Sequence, residues 1–547
     1  MNTKFFKYII PALSLVFSVN FTSCLGDLDV TPIDPNLNVE FDQNANFAKI
    51  YAGLAITGNK GPDGQGDIAD TDEGASGLMR MLFNLNELPT DEAICAWSGD
   101  VDVYPLNFAK FTASNGVVLN MFNRLYIQIA QCNNFLIQTE GKDDEESLTQ
   151  RAEVRFIRAL DYYYLIDLYG NVPFVDENTG IGTYVPERIT RANLYTYIEK
   201  ELKEIEPQMK APRANVYGRA DQAAVWMLLS RLYLNAEVYT GDPQWNACIQ
   251  ECDDIINSGK YSLDINYSDP FKAHNENSLE NILVIPYDEI FATGFNYHLA
   301  ALHGANQKTY DLVGSPWGAG AYKGIPQFID TYDPDDERLN ATWLGGPQYA
   351  SDRTPLTGSY DLMGQPLIFV NKMPNGIFTG EAEGYRWLKY EVEMGARSEL
   401  NNDLVLFRLT QVHMMKAECL LRTGKADQAA SIVSMVRKRA FKEHPEKAIV
   451  SGAQLQEKSC YKYGTVENYV LTSQNQVYPE KFGRFYDELG WEFAGESYRR
   501  RDMIRFGHFT KAKWLSHEPN GDYKTVFPLP QKVVDTNPNL EQNPNYQ

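Results

Sequence analysis

The stretch AEVRFIRALDYYYLIDLYGNVPF (residues 152–174) decides the fold through its spacing. From position 151 to 169 apolar side chains recur at helical intervals on two faces. Ala152, Phe156, Ala159, Tyr163 and Ile166 line one, and Ile157, Leu160, Tyr164 and Leu168 line the other. Two apolar faces require cover on both sides, so this helix belongs inside a helical protein. Gly170 and Pro173 end it. Residues 119–138 read as a second helix, and the polar run 141–147 between the two makes a helical hairpin.

The pattern recurs outward from this pair. Residues 194–209 pair with 220–239, which Arg219, Ala220 and Asp221 open and Gly241-Asp242-Pro243 closes, and another helix follows at 244–258. Near the C-terminus Leu406, Leu409, His413, Ala417 and Leu420 line one helix face, and Gly424 stops it. AECLLRTGKADQAA (417–430) resembles a tetratricopeptide turn, with small residues where two helices cross. The repeats are degenerate and scattered, which predicts a mostly α fold with tetratricopeptide-like helix pairs as scaffold and a large loop-rich face. The expected layout is an N-terminal lobe of about 24–285, a loop-rich insertion of about 288–400 and a C-terminal helical part of about 404–547. The insertion is rich in Gly, Pro and aromatics, as in Gly314-Ser315-Pro316-Trp317-Gly318. Long loops on a rigid base are where function concentrates.

The chain begins with Lys4 and Lys7 before an apolar run from Tyr8 to Val19, the pattern of a secretory signal peptide. That run is too short to cross a bilayer. Phe21-Thr22-Ser23-Cys24 resembles a bacterial lipobox, although Phe21 departs from the usual Leu. The resemblance implies cleavage after residue 23 and a diacylglycerol on Cys24, leaving a mature domain of 24–547; ordinary cleavage nearby is the alternative. Two or more acyl chains hold a protein stably on a membrane, where one gives only reversible binding.

Composition excludes several functions. Hydrophobic residues make up 44% with 33 Tyr, enough apolar surface for a large core. The formal charge of -22 opposes phosphate backbones, so no nucleic-acid partner is expected. Six cysteines remain beyond Cys24, at 95, 132, 248, 252, 419 and 460, and they read as buried thiols or disulfides whose pairing spacing does not reveal. No metal and no cofactor is expected. The histidines have no ligand spacing, with His413 read as a core residue, and Gly424-Lys425 lacks the glycine of a phosphate loop. Asp63, Asp67, Asp70, Asp72 and Glu73 form an acidic loop, but Gly74 and Met81 stand where an EF-hand needs a ligand and a Glu. A solvated turn is the simpler reading.

Eight blocks in order carry a family resemblance. They include LGDLDVTPIDP (25–35), DIADTDEGASGLMR (67–80), NELPTDEAICAW (86–97), the 152–174 stretch, GRADQAAVWMLLSRLYLNAEVYTG (218–241), FRLTQVHMMKAECLLRTGK (407–425) and WEFAGESYRRRDMIRFG (491–507). Over essentially its whole length the sequence resembles the SusD-like (RagB/SusD) family of outer-membrane glycan-binding lipoproteins. The resemblance implies four tetratricopeptide-like helix pairs, an oligosaccharide or polysaccharide ligand and no catalysis. It also implies a SusC-like TonB-dependent outer-membrane transporter as partner, with the protein lipid-anchored in the outer membrane and facing the cell exterior.

Carried over position by position, the resemblance makes Trp97 a stacking platform, Asp100 an acceptor for hydroxyls and Arg80 a donor. Tyr297, in FATGFNYHLA, is a second candidate platform. A sugar ring has an apolar C–H face and a hydroxyl rim, so it needs both a flat aromatic and polar partners. For Trp97 and Tyr297 the other reading is a packing role. Two rival functions stay open: a surface glycoside hydrolase with paired carboxylates, and an assembly lid that binds no sugar.

Overall fold

The computed structural model describes residues 41–58, 66–69, 76–179, 185–376, 379–474 and 478–546. The expected signal peptide and Cys24 lie outside these residues, as do Asp63, Asp70, Asp72 and Glu73. Two compact units are distinguished. In Met1–Asn46 the described part is 41–46, where the Asp42 carboxylate accepts the Ala45 N–H (3.0 Å) as a helix starts. Phe47–Gln547 forms the other unit.

That unit is built mainly from helices. After α1 (Leu78–Asn86) and a short strand β1 (Ala93–Cys95) come α2 (Gly116–Gln138), α3 (Glu145–Leu168), α4 (Arg191–Ile205), α5 (Gln222–Leu234) and α6 (Trp245–Asn257). Helix α2 packs on α3, α3 on α4 and α5 on α6, the antiparallel layering that the two-faced 152–168 pattern demands. From Phe156 to the end of α3 every side chain is buried, charged ones included. Burial of a charge is tolerated only with a partner. Arg158 accordingly reaches Glu201 (2.8 Å), and Asp167 meets Arg500 (3.0 Å). Helix α3 begins six residues earlier than periodicity predicts, because Asp144 in the polar run caps it, accepting the Ser147 N–H at 2.9 Å.

A second correction concerns Leu406. Leu404–Arg408 is a strand, β6, paired antiparallel with β2 (Asn281–Ile285), and helix α7 (Leu409–Arg422) starts only after it. All five residues of β6 are buried, so it lacks the alternation that would separate a strand from a buried helix. Helix α7 packs on α6 and on α8 (Ala426–Arg437). The loop-rich stretch contributes β3 (Tyr322–Gly324), β4 (Trp343–Leu344) and β5 (Arg386–Trp387) to a four-stranded sheet ordered β1-β3-β5-β4.

Helices α9 (Gly483–Phe493) and α10 (Arg499–Arg505) follow toward the C-terminus. Buried ion pairs bind these parts together. Arg408 on β6 meets Glu280 (2.8 Å), Glu492 (3.0 Å) and Glu496 (2.7 Å), while Arg338 reaches Asp336 (2.7 Å) and Glu492 (3.3 Å). The six cysteines are free thiols, five buried and Cys460 exposed.

Candidate functional site

Trp97 follows a rigid base. Strand β1 pairs with β3 through Ala93↔Gly324, Ile94↔Lys323 and Cys95↔Tyr322, and the Ala96 N–H donates to the Ala321 carbonyl (2.9 Å). The Asn107 amide clamps Cys95 from the side, accepting its N–H (2.9 Å) and donating to its carbonyl (2.8 Å). The preceding acids lie beneath this base. Glu87, Asp91 and Glu92 are fully buried, and Asp91 pairs with Arg499 (2.7 Å) and accepts the Tyr463 hydroxyl (2.7 Å). Burial pushes Glu87 up to about 7 and, together with the neighbouring Glu87, raises Glu92 as well. A carboxyl near neutrality suits general-acid work, but here Glu87 is buried accepting the Ser497 N–H and Glu92 is buried beside Arg499 (3.3 Å). They hold the loop.

With the base fixed, the chain turns outward: the Asp100 N–H bonds the Trp97 carbonyl (3.0 Å), and Trp97 is left half-buried. Trp317 comes to meet it from the loop-rich stretch. Its N–H donates to the Leu299 carbonyl (2.7 Å), and the loop turns back through Gly318 and Gly320, both at positive φ. A Cβ at Gly320 would lie 2.4 Å from the Ala301 carbonyl oxygen, so this close approach requires glycine. The two indoles stand 5.9 Å apart with planes inclined at 43°. Arg80 on α1 sets its guanidinium 5.8 Å from the Trp97 ring and 5.5 Å from the Trp317 ring, within cation–π range of both. Neither indole N–H bonds to a described residue.

The surface thus offers two inclined aromatic faces with a cation beside them. Such an array stacks against C–H faces of sugars and donates to their hydroxyls. Asp100 borders it, although its Oδ1 is already occupied by the N–H groups of Asp102 (3.0 Å) and Val103 (2.8 Å). Oδ2 lies outside those bonds.

Tyr297 requires a correction. It is 6% exposed, its hydroxyl donates to the Met79 carbonyl (2.7 Å), and Phe83, Phe295 and Trp387 surround its ring at 4.9–5.7 Å. It is a core tyrosine with no ring face for a ligand. Trp317 is the residue that sequence reasoning passed over. Its signal was a tryptophan set among Gly, Ser and Pro, where no helix or strand could bury it. Asp67 of the acidic run is paired with Arg124 (2.7 Å). Among the described residues no His, Cys, Asp and Glu group is arranged to hold a metal ion, and no helix is long and apolar enough to cross a membrane.

Comparison with known proteins gives this geometry a context. The SusD family model matches residues 259–546, and one described as "Starch-binding associating with outer membrane" matches 28–234. The chain is 33% identical to the starch-binding protein SusD of Bacteroides thetaiotaomicron, with 100% of each chain covered. The chain belongs to the SusD family. This is a family of carbohydrate-binding, non-catalytic proteins associated with the outer membrane. A SusD-like protein of Formosa agariphila is 24% identical over 80% of this chain and 81% of its own. Among solved structures, surface glycan-binding protein A of Bacteroides thetaiotaomicron, in complex with laminarihexaose, shares the fold. Its TM-score is 0.65 at 19% identity, over 92% of this chain and 98% of that one. The helical scaffold of this SusD-family chain is therefore a shared framework.

Proposed function

We propose that this protein is a cell-surface lipoprotein that captures oligosaccharides on the Trp97–Trp317 surface and delivers them, uncut, to a SusC-like TonB-dependent transporter. The observation that carries the reading is the indole pair with Arg80 beside it, at the segment the family resemblance assigned to glycan contact. Stacking would come from both indoles, while Arg80 donates to hydroxyls and Asp100 accepts from them. Cys24 carries the lipid anchor, and the domain of 24–547 stands on the outer face of the outer membrane.

A starch-type α-glucan is the proposed ligand. The relative matched along its full length is named as starch-binding. The 43° inclination also suits a chain whose successive rings turn, whereas a flat ribbon stacks best on coplanar faces.

Calorimetric titration of the form lacking residues 1–24 with maltoheptaose tests the reading, alongside an assay for new reducing ends. Saturable heat without new reducing ends is expected. Absence of heat with maltoheptaose and with other glycans would leave a lid that binds no sugar, and release of reducing ends would make the protein a hydrolase.

A further inference from the structure

The loop through residues 358–365 approaches the indole pair and presents one more ring. Tyr360 is 56% exposed, and its hydroxyl bonds to no described residue. That hydroxyl lies 3.9 Å from where a Cβ on Gly318, next to Trp317, would stand. One edge of the ring meets the His303 imidazole, with centroids 6.0 Å apart and planes at 77°.

The backbone beneath this ring is tightly held. Glu381, 2% exposed, accepts the N–H groups of Ser359 (2.6 Å), Tyr360 (2.8 Å) and Leu362 (2.9 Å). Its own N–H donates to the Asp361 carboxylate (3.0 Å). His303, fully buried, stands with Nε2 3.0 Å from Glu381 Oε1. Because His303 Nδ1 accepts the Ala305 N–H (3.0 Å), the ring proton sits on Nε2 and points at Glu381. A Cβ on Gly358 would fall 2.6 Å from Glu381 Oε1, so glycine there lets the carboxylate reach the loop. Charge-assisted bonds of this kind are roughly twice as strong as neutral ones. A tyrosine this exposed adds little to the core and has little need of such an anchor; one that must hold a ring still for a ligand does.

We propose that Tyr360 is a third stacking residue of the glycan site, engaging a sugar unit beyond those on Trp97 and Trp317, with Glu381 and His303 as its positioning pair. The proposal rests on the reading of the two tryptophans as the glycan platform. Its consequence is chain-length selectivity, because a short oligosaccharide that fills the indole pair does not reach Tyr360.

Wild type, Tyr360→Ala, Glu381→Gln and Trp97→Ala titrated with maltotriose and maltoheptaose test it. Tyr360→Ala should weaken maltoheptaose binding about fivefold to twentyfold and leave maltotriose within about twofold. Glu381→Gln should show the same selective loss at smaller size. Trp97→Ala should weaken both sugars. If Tyr360→Ala binds maltoheptaose as wild type does while Trp97→Ala loses both, Tyr360 is no part of the site and the platform stands. Equal losses of both sugars in Glu381→Gln would make Glu381 a general structural residue and overturn its positioning role. If Trp97→Ala changes nothing, or wild type binds neither sugar, the platform with its proposed ligand fails and takes Tyr360 with it.

Discussion

Trp97 and Tyr297 are both aromatic residues in short-range sequence contexts that suggested loops, and the fold puts them to opposite uses. Trp97 leaves the sheet at the end of β1 and stays half-exposed, while Tyr297 opens a short helix and turns into the core against Phe83 and Trp387. Their exposure depends on contacts with residues hundreds of positions away, which no local pattern encodes. Tyr297→Ala should therefore cost about 3–5 kcal/mol of stability, read as a lower urea midpoint. Tyr297→Phe should cost about 1–3 kcal/mol, because the buried Met79 carbonyl loses its donor. Arg80 and Trp97 were named from the family blocks, and the fold brings them together. Trp317 was not, since its partner lies 220 positions upstream and only the folded sheet brings β1 and β3 together.

At the scale of elements, what could be read was what has a period. Helices α3 and α5 follow the 3.6-residue spacing, and the end of α3 and the start of α5 fall close to where that spacing puts them. The start of α3 was missed because a cap is a single side chain, Asp144, inside a run that otherwise reads as loop. Asp144→Ala should lower stability modestly, measurable as a small fall in melting temperature with no change in sugar binding. Strand β6 was missed for a different reason. Five buried residues without alternation satisfy a helix and a strand equally, and only pairing with β2 settles the matter. Arg408, at the end of that strand, is the anchor of the buried ionic network, and Arg408→Met should cost about 3–5 kcal/mol by stranding carboxylates among low-dielectric neighbours.

Across the whole molecule, that network joins the loop-rich stretch to the C-terminal helices and contributes stability that acid removes. Burial alone would raise the pKa of Glu280, but Arg439 and Arg408 outweigh it and hold the carboxyl down to about 2, against an ordinary 4.5. A folded-state pKa below the unfolded one gives stability that is complete above the unfolded value and lost as pH falls toward the folded one. Melting temperature should thus drop between about pH 4.5 and about pH 2. Glu280→Gln should start lower and show a shallower drop across that window; an unchanged slope would dissociate Glu280 from acid stability. The central claim, that this scaffold serves to present a sugar-stacking surface, is tested most directly by calorimetry of Trp97→Ala with maltoheptaose beside a thermal melt of the same preparation. Affinity should fall about tenfold to a hundredfold while the melting temperature stays near that of wild type. Unchanged affinity with a sharply lowered melting temperature would make Trp97 a packing residue and contradict the account.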